Sequence, residues 1–327
     1  MASDRETRPA NHLCSVVARA AGEDPIGTAT PFEHRLLIEV ASPWEDDVAD
    51  SRHYPDELWR VLNDAYSRNV PVAMTAILPD PEYSSEGETR ILSLRRPRDP
   101  FARYEREEYV VPDAELIPAV EALCGDRRDL SSLEECRLDT GDVRDIVVCT
   151  HGSHDACCGK FGYPIYERLR GEYAESGKLR VWRASHIGGH RFAPTLIDFP
   201  EGRYWAFLEP ENLENLVLRN RPVSELRGLY RGCSAMQSNY EQIVEREILI
   251  REGWRWAAYP KTGRVLSASE DESRAEVRID YIDPDGSFGS YEAAVEQSGT
   301  GMTLPKSGPG PLEETKQYGV VGLERVS

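Results

Sequence analysis

One order of segments occurs twice along this chain, and it constrains the fold more than any other feature. An apolar strand is followed by a loop, a helix, three strands and a second helix. In the first half, Arg35–Val40 has the character of a buried strand and ends at Ser42-Pro43-Trp44. Pro55 then opens a helix to Asn69, with Leu58, Trp59, Leu62 and Tyr66 read as its inner face. Val70–Leu78 is a second apolar strand. Thr89–Leu94 and Tyr104–Val111 alternate as half-buried strands do, and Pro112-Asp113 starts a helix through Leu116, Val120 and Leu123. After Asp142 the order returns. Asp145–Cys149 is the strand, His151 to His154 lie in the loop, and a helix runs from Cys157 to Ala174 with Tyr166 and Leu169 inward. Leu179–Ala184, Thr195–Phe199 and Arg203–Leu208 are strands, the last two joined by a turn at Pro200-Glu-Gly202, and Pro210 opens the closing helix to Arg219. The pattern repeats; the residues do not.

Strand–helix–strand followed by a hairpin and a helix is the thioredoxin-like arrangement. The fold class is therefore read as α/β, with two tandem thioredoxin-like units, 1–140 and 141–256. The polar, turn-rich stretch before residue 30 adds no element to this reading. Gln237–Glu252 is a strong helix, with Ile243, Val244, Ile248 and Leu249 at helical spacing. Val277–Ile282 and Tyr291–Val295 read as a hairpin around Asp283-Pro-Asp-Gly286. From Ser298 onward Gly and Pro punctuate what reads as a loose tail, so 257–327 is taken as a hairpin extension with an acidic end.

Charge narrows the function. The 327 residues carry 57 acidic and 39 basic side chains, a formal net charge of −18. That balance argues against nucleic acid, which demands a basic face, and against an anionic membrane surface. Residues 265–327 hold 12 acidic and 5 basic side chains, so part of the excess belongs to the end of the chain. No apolar run approaches the ~18 residues of a spanning helix. Met1–Ala10 lacks the apolar core of a signal peptide, and the expected location is the cytoplasm.

Cysteine usage carries the chemistry. There are seven: Cys14, Cys124, Cys136, Cys149, Cys157, Cys158 and Cys233. The odd number in a long chain speaks against a secreted disulfide scaffold. Three of them fall in Cys149-Thr-His-Gly-Ser-His-Asp-Ala-Cys157-Cys158-Gly-Lys, where a strand ends and a helix begins. A second loop, Ser185-His186-Ile-Gly-Gly-His190-Arg-Phe-Ala, carries two histidines around two glycines. Thiolates and imidazoles from two loops suit a soft or borderline metal. A Cys2His2 set holds tetrahedral zinc or a 2Fe–2S cluster with mixed ligation. Structural zinc favours tighter cysteine spacing, and a cluster, being wider than one ion, fits the longer loop better. Cys14, Cys124, Cys136 and Cys233 read as packing residues. Vicinal Cys157-Cys158 is poorly suited to disulfide exchange. Nucleotide, flavin and hydrolase motifs are absent from the sequence, so no catalytic residues are assigned.

These two loops resemble the sucrase/ferredoxin-like family, whose members carry a thioredoxin-like ferredoxin domain. The matching stretches are Cys149 to Asp155, Cys158-Gly159 and Ser185 to Ala193, with weaker matches at Gly27-Thr-Ala29, Ser42-Pro-Trp44, Tyr230-Arg-Gly232 and Gln237. The resemblance implies a 2Fe–2S cluster held by Cys149, Cys158, His186 and His190, with Cys157 as the fallback thiolate. His151, His154, Asp155 and Arg191 are then candidates for the surroundings of the ligands. The first unit lacks a Cys/His loop and reads as a degenerate, structural copy. The expected role is an electron carrier or reductase component rather than a stand-alone catalyst, with proton-coupled electron uptake and a basic-faced reductase or oxidase as partner. The alternative is a zinc-stapled Cys2His2 scaffold that binds protein and has no redox activity.

Overall fold

Leu36, Leu37 and Ile38 on one strand, and Ile146, Val147 and Val148 on another, are wholly buried. Such continuous apolar runs fit parallel strands covered on both faces, and they are the centres of the two halves. The computed structural model describes residues 12–125 and 127–326. The first half comprises α1 (Cys14–Ala20), β1 (His34–Glu39), α2 (Asp56–Ser67), β2 (Val72–Ile77), β3 (Glu88–Arg95), β4 (Glu105–Pro112), α3 (Leu116–Cys124) and β5 (Arg137–Leu138). The second comprises β6 (Arg144–Cys149), α4 (Tyr163–Glu172), β7 (Leu179–Ala184), β8 (Leu196–Phe199), β9 (Arg203–Trp205), α5 (Pro210–Leu218) and β10 (Tyr230–Cys233).

All ten strands form one mixed sheet, ordered β10-β9-β8-β6-β7-β2-β1-β3-β4-β5. β1 pairs parallel with β2 and antiparallel with β3, and β6 repeats this with β7 and β8. The halves meet where β2 pairs antiparallel with β7, at Ile77 opposite Ala184. The repeated order read from the sequence is thus a repeated strand order in space, and the molecule is mixed α/β. Leu36 and Ile38 face α2 and α3, whereas Leu37, Leu92 and Leu94 share a core with Ile146, Val148 and Trp182. The two half-sheets therefore fold towards one another. Glu108 on β4 bonds Arg180 on β7 at 2.8 Å and 2.9 Å, although three strands separate β4 from β7 in the sheet order.

Several expectations are corrected. Of the face read for α2, Leu58 is buried and Leu62 half-buried against the core, but Trp59 and Tyr66 are exposed, and Ala65 is buried in their place. The helix seats on the stripe about 100° round from the aromatic one, because the smaller residues allow close approach to the sheet. The stretch before residue 30 contains α1, whose Cys14 and Ala18 are fully buried. Residues 298–326 are not a loose tail. β11 (Lys261–Ala268), β12 (Arg274–Ile282), β13 (Phe288–Thr303) and β14 (Glu313–Arg325) form a second, antiparallel four-stranded sheet. β14 has no buried residue, so its apolar–polar alternation is weak and the sequence does not advertise it.

Between the sheets lies α6 (Asn239–Glu252), which packs on β10 and on β11 to β14. It is capped by a reciprocal Ser238–Glu241 box. Being covered on both sides, it buries charge as well as apolar surface. Glu245 accepts from Arg203, Tyr230 and the Trp256 indole at 3.1, 2.8 and 3.0 Å. No helix among the described residues is long and apolar enough to cross a membrane.

Candidate metal centre

Cys149 is the last residue of β6, buried where the strand meets its loop. The loop doubles back tightly enough that a Cβ on Gly159 would lie 2.8 Å from the Gly152 Cα. One wide helical turn, Cys158–Gly162, then leads into α4; such π-type turns cluster at functional sites. Gly162 rests against the end of β6, so a Cβ there would overlap the Cys149 carbonyl oxygen. Strand end and wide turn thus face each other, and Cys149, Cys158 and His186 bring one donor atom each within 4.8 Å of the others. Both thiols are almost wholly buried. A hydrogen bond from Cys158, with others from His186 and the His151 amide, holds Cys149 well below the usual thiol range, and the same pairing pushes Cys158 up. Cys149 is the readier thiolate. The His186 Nδ1 is buried and has no hydrogen-bond partner among the described residues.

The histidine loop follows β7. Ser185 ties it to β2 through Ala76, with bonds of 2.8 Å and 3.1 Å. Gly188 and Gly189 both take left-handed conformations, at φ +84° and +72°, which only glycine adopts without strain. Arg231, buried, holds the Gly188 carbonyl at 2.9 Å and the Thr28 carbonyl at 2.6 Å. Burial draws its pKa down to about 10. A Cβ on Gly189 would sit 2.5 Å from that guanidinium.

His151 donates from Nε2 to the Glu45 carbonyl at 2.6 Å, and its Nδ1 accepts the His186 amide at 3.1 Å. Both nitrogens are engaged and burial lowers its pKa, so this residue orients the loop as a neutral imidazole. Trp44 packs edge-on against it. His154 stacks on His186 with ring centroids 3.8 Å apart, its Nδ1 3.0 Å from the Asp46 carbonyl. Asp46, Met74, His151, His154, Ser185 and His186 line a cavity of about 350 Å³ that opens onto His186.

A second group adjoins the first. The His190 Nδ1 lies 3.3 Å from Asp155 Oδ2 and 3.5 Å from the Cys14 Sγ. The Cys14 Sγ is 3.6 Å from Asp155 Oδ1, and these three form a set of potential ligands of their own. Cys157 turns away from Cys158's partners and meets Cys14, with sulfurs 3.5 Å apart. Ser307, in the connection between β13 and β14, donates to Asp155 from its amide at 2.8 Å and its hydroxyl at 2.7 Å. Burial opposes ionisation of Asp155, yet hydrogen bonds from His190, Ser307 and Cys157 hold its carboxyl far below the usual range. Hydrogen bonds from Cys14, Ser15 and Ser307 bring Cys157 down to about 6.

Of the residues singled out in the sequence, the structure gathers Cys149, Cys158 and His186 around one point. It places His190 in the neighbouring group, its ring 5.4 Å from that of His186. Cys157 belongs to the second group as well. Arg191 pairs with Glu23 at 3.0 Å and covers Phe192. Cys14 is buried in an apolar cluster with Val17 and Leu304, as expected of a packing residue, and its sulfur also faces the donors of the second group. The parts that Cys14, Ser307 and Arg231 play at the site were not foreseen, since each acts across at least 43 residues of sequence. The conformation of the ligand loop gives a direct test. Gly162→Ala is expected to cost about 1–3 kcal/mol through overpacking and to lower bound metal, checked by denaturant unfolding and metal analysis of the same samples.

Two adjoining buried sets of thiol, imidazole and carboxylate donors lie close enough to hold a metal ion. A model of the sucrase/ferredoxin-like family matches residues 25–232, and the chain belongs to that family. Over 96 residues it is 28% identical to altered inheritance of mitochondria protein 32 of Meyerozyma guilliermondii. That match takes in 27% of this chain and 33% of the other, so the chain spans about a third of that relative's length. No solved structure matches.

Proposed function

We propose that this protein is a 2Fe–2S electron-transfer protein built on a thioredoxin-like ferredoxin unit, with the cluster held by Cys149, Cys158, His186 and His190. The observation that carries the reading is the first donor group. Two buried thiols and the His186 imidazole converge at a loop pair held by His151 and Arg231, and the buried His186 Nδ1 has no hydrogen-bond partner among the described residues. A buried polar atom without a partner is costly, and a metal–ligand bond would satisfy it. The cluster would supply one-electron transfer. Two neutral imidazoles in place of two thiolates remove negative charge and raise the potential. Asp155 on the Nδ1 side of His190 leaves that ring's other nitrogen for ligation, as carboxylate–histidine pairs do around metals. The cavity at His186 and His154 is the exposed edge for electron exchange, and an imidazole ligated through one nitrogen couples that exchange to a proton. The acidic surface favours a basic-faced redox partner.

Anaerobic purification, a visible spectrum, and assays of iron, acid-labile sulfide and zinc test this. The expected result is a coloured protein with equal iron and sulfide. A colourless protein with one zinc and no sulfide overturns it in favour of a zinc-stapled scaffold. A reduction potential that does not change between mildly acid and alkaline pH would remove the proton coupling alone.

A further inference from the structure

Cys14 and Cys157 are far apart in sequence and adjacent in space. Their sulfurs lie 3.5 Å apart, and neither side chain is exposed. The contact is fixed on both sides. The Ser15 amide is 3.4 Å from the Cys157 sulfur, and the Ser307 hydroxyl is 3.2 Å from Cys157 and 3.3 Å from Cys14. α1 is pinned here too, its Cys14 amide donating to Ser307 at 3.1 Å. All seven cysteines are free thiols in this structure. Among them, Cys14 and Cys157 are a facing pair that the ligand set Cys149, Cys158 and His186 leaves unused.

We propose that Cys14 and Cys157 form a reversible disulfide, a two-electron couple beside the metal-binding loops, which joins α1 to the ligand loop. A disulfide requires sulfurs at about 2.05 Å, so a closure of this pair is a local side-chain adjustment rather than a change of fold. The oxidant is a low-molecular-weight disulfide. One cysteine sulfur attacks it, breaking its S–S bond and releasing one thiol. The other cysteine resolves the mixed disulfide and releases the second thiol. Two electrons and two protons thus pass from the cysteine pair to the oxidant. The oxidant is assigned to the adjoining cavity of about 540 Å³, whose walls include Ser15, Arg19, Lys160, Phe161 and Ala193, next to the two buried cysteines in sequence or packing. Phe161 packs in the same apolar cluster as Cys14 and Cys157, and Arg19 and Lys160 favour an anionic oxidant such as glutathione disulfide.

The full chain, reduced and then incubated with glutathione disulfide, is denatured in an alkylating agent, digested and mapped by mass. The expected product is a single peptide pair joined through Cys14 and Cys157. Two of the seven thiols are lost from titration, and dithiothreitol restores them. Alkylation of both Cys14 and Cys157 after oxidation overturns the proposal, as does linkage of Cys157 to Cys149 or Cys158. Because the unaltered chain is mapped, no variant needs to fold. The visible spectrum of the same samples reports on the cluster separately. A colourless protein that still forms the link fails only the cluster reading; a coloured one with both thiols alkylated fails only this one.

Discussion

With the proposed 2Fe–2S cluster, Cys158→Ser is expected to remove essentially all iron and sulfide, whereas Cys157→Ser leaves both in place. The two cysteines are neighbours in sequence, and sequence alone leaves either as the second thiolate. The fold separates them. Cys158 opens the wide turn that faces the end of β6 and shares a donor set with Cys149 and His186. Cys157 points to Cys14 and Ser307. A serine hydroxyl is a poor substitute for a soft thiolate ligand, and at a site this buried no solvent ligand stands ready to replace it. Iron and sulfide stoichiometry with the visible spectrum of both variants checks the expectation. Bleaching by Cys157→Ser with colour retained in Cys158→Ser would reverse the assignment.

That separation shows where sequence reading ends. The strand and helix order of 34–219 was legible because apolar runs and turn residues are local signals, and the doubled order emerged from them without any spatial information. Cys149, Cys158 and His186 were legible because three chemically distinctive residues sit in two short loops. Cys14 and Ser307 were not. They meet Asp155 from 141 and 152 residues away, through a short helix and a connection between half-exposed strands. Neither has a periodicity of its own. The face of α2 was legible only in part. Leu58 is buried as its spacing indicates, but Trp59 and Tyr66, large and aromatic, lie about 100° round the helix from the buried pair Leu58 and Ala65 and stay exposed. The first half also helps to build the candidate site, Cys14 on α1 included. Its β1–α2 connection supplies Trp44, Glu45 and Asp46 against His151 and His154 in the loop after β6.

The contact between the two units has its own polar lock, and breaking it carries the other large effect. Glu108 and Asp145 are buried between the half-sheets with Arg106 and Arg180. Arg106 bonds Asp145 at 2.7 Å and Glu108 at 2.9 Å, and Arg180 bonds Asp145 at 3.0 Å. Arg90 and Thr140 complete the shell around Glu108. Burial alone would raise the Glu108 pKa. Bonds from Arg180, Thr140 and the Arg106 charge outweigh it and hold the group far below the usual carboxylate range. Glu108→Ala removes the negative partner of three arginines and leaves buried positive charge uncompensated, a loss of about 3–5 kcal/mol. Because the folded pKa is depressed, the wild-type contribution is complete above the unfolded glutamate value of about 4.3 and is lost as pH falls towards the folded one. Denaturant unfolding at neutral and acid pH checks both parts. The wild type should lose stability below about pH 4, and the gap between wild type and Glu108→Ala should narrow there, because protonation of Glu108 removes the same charge that the substitution removes.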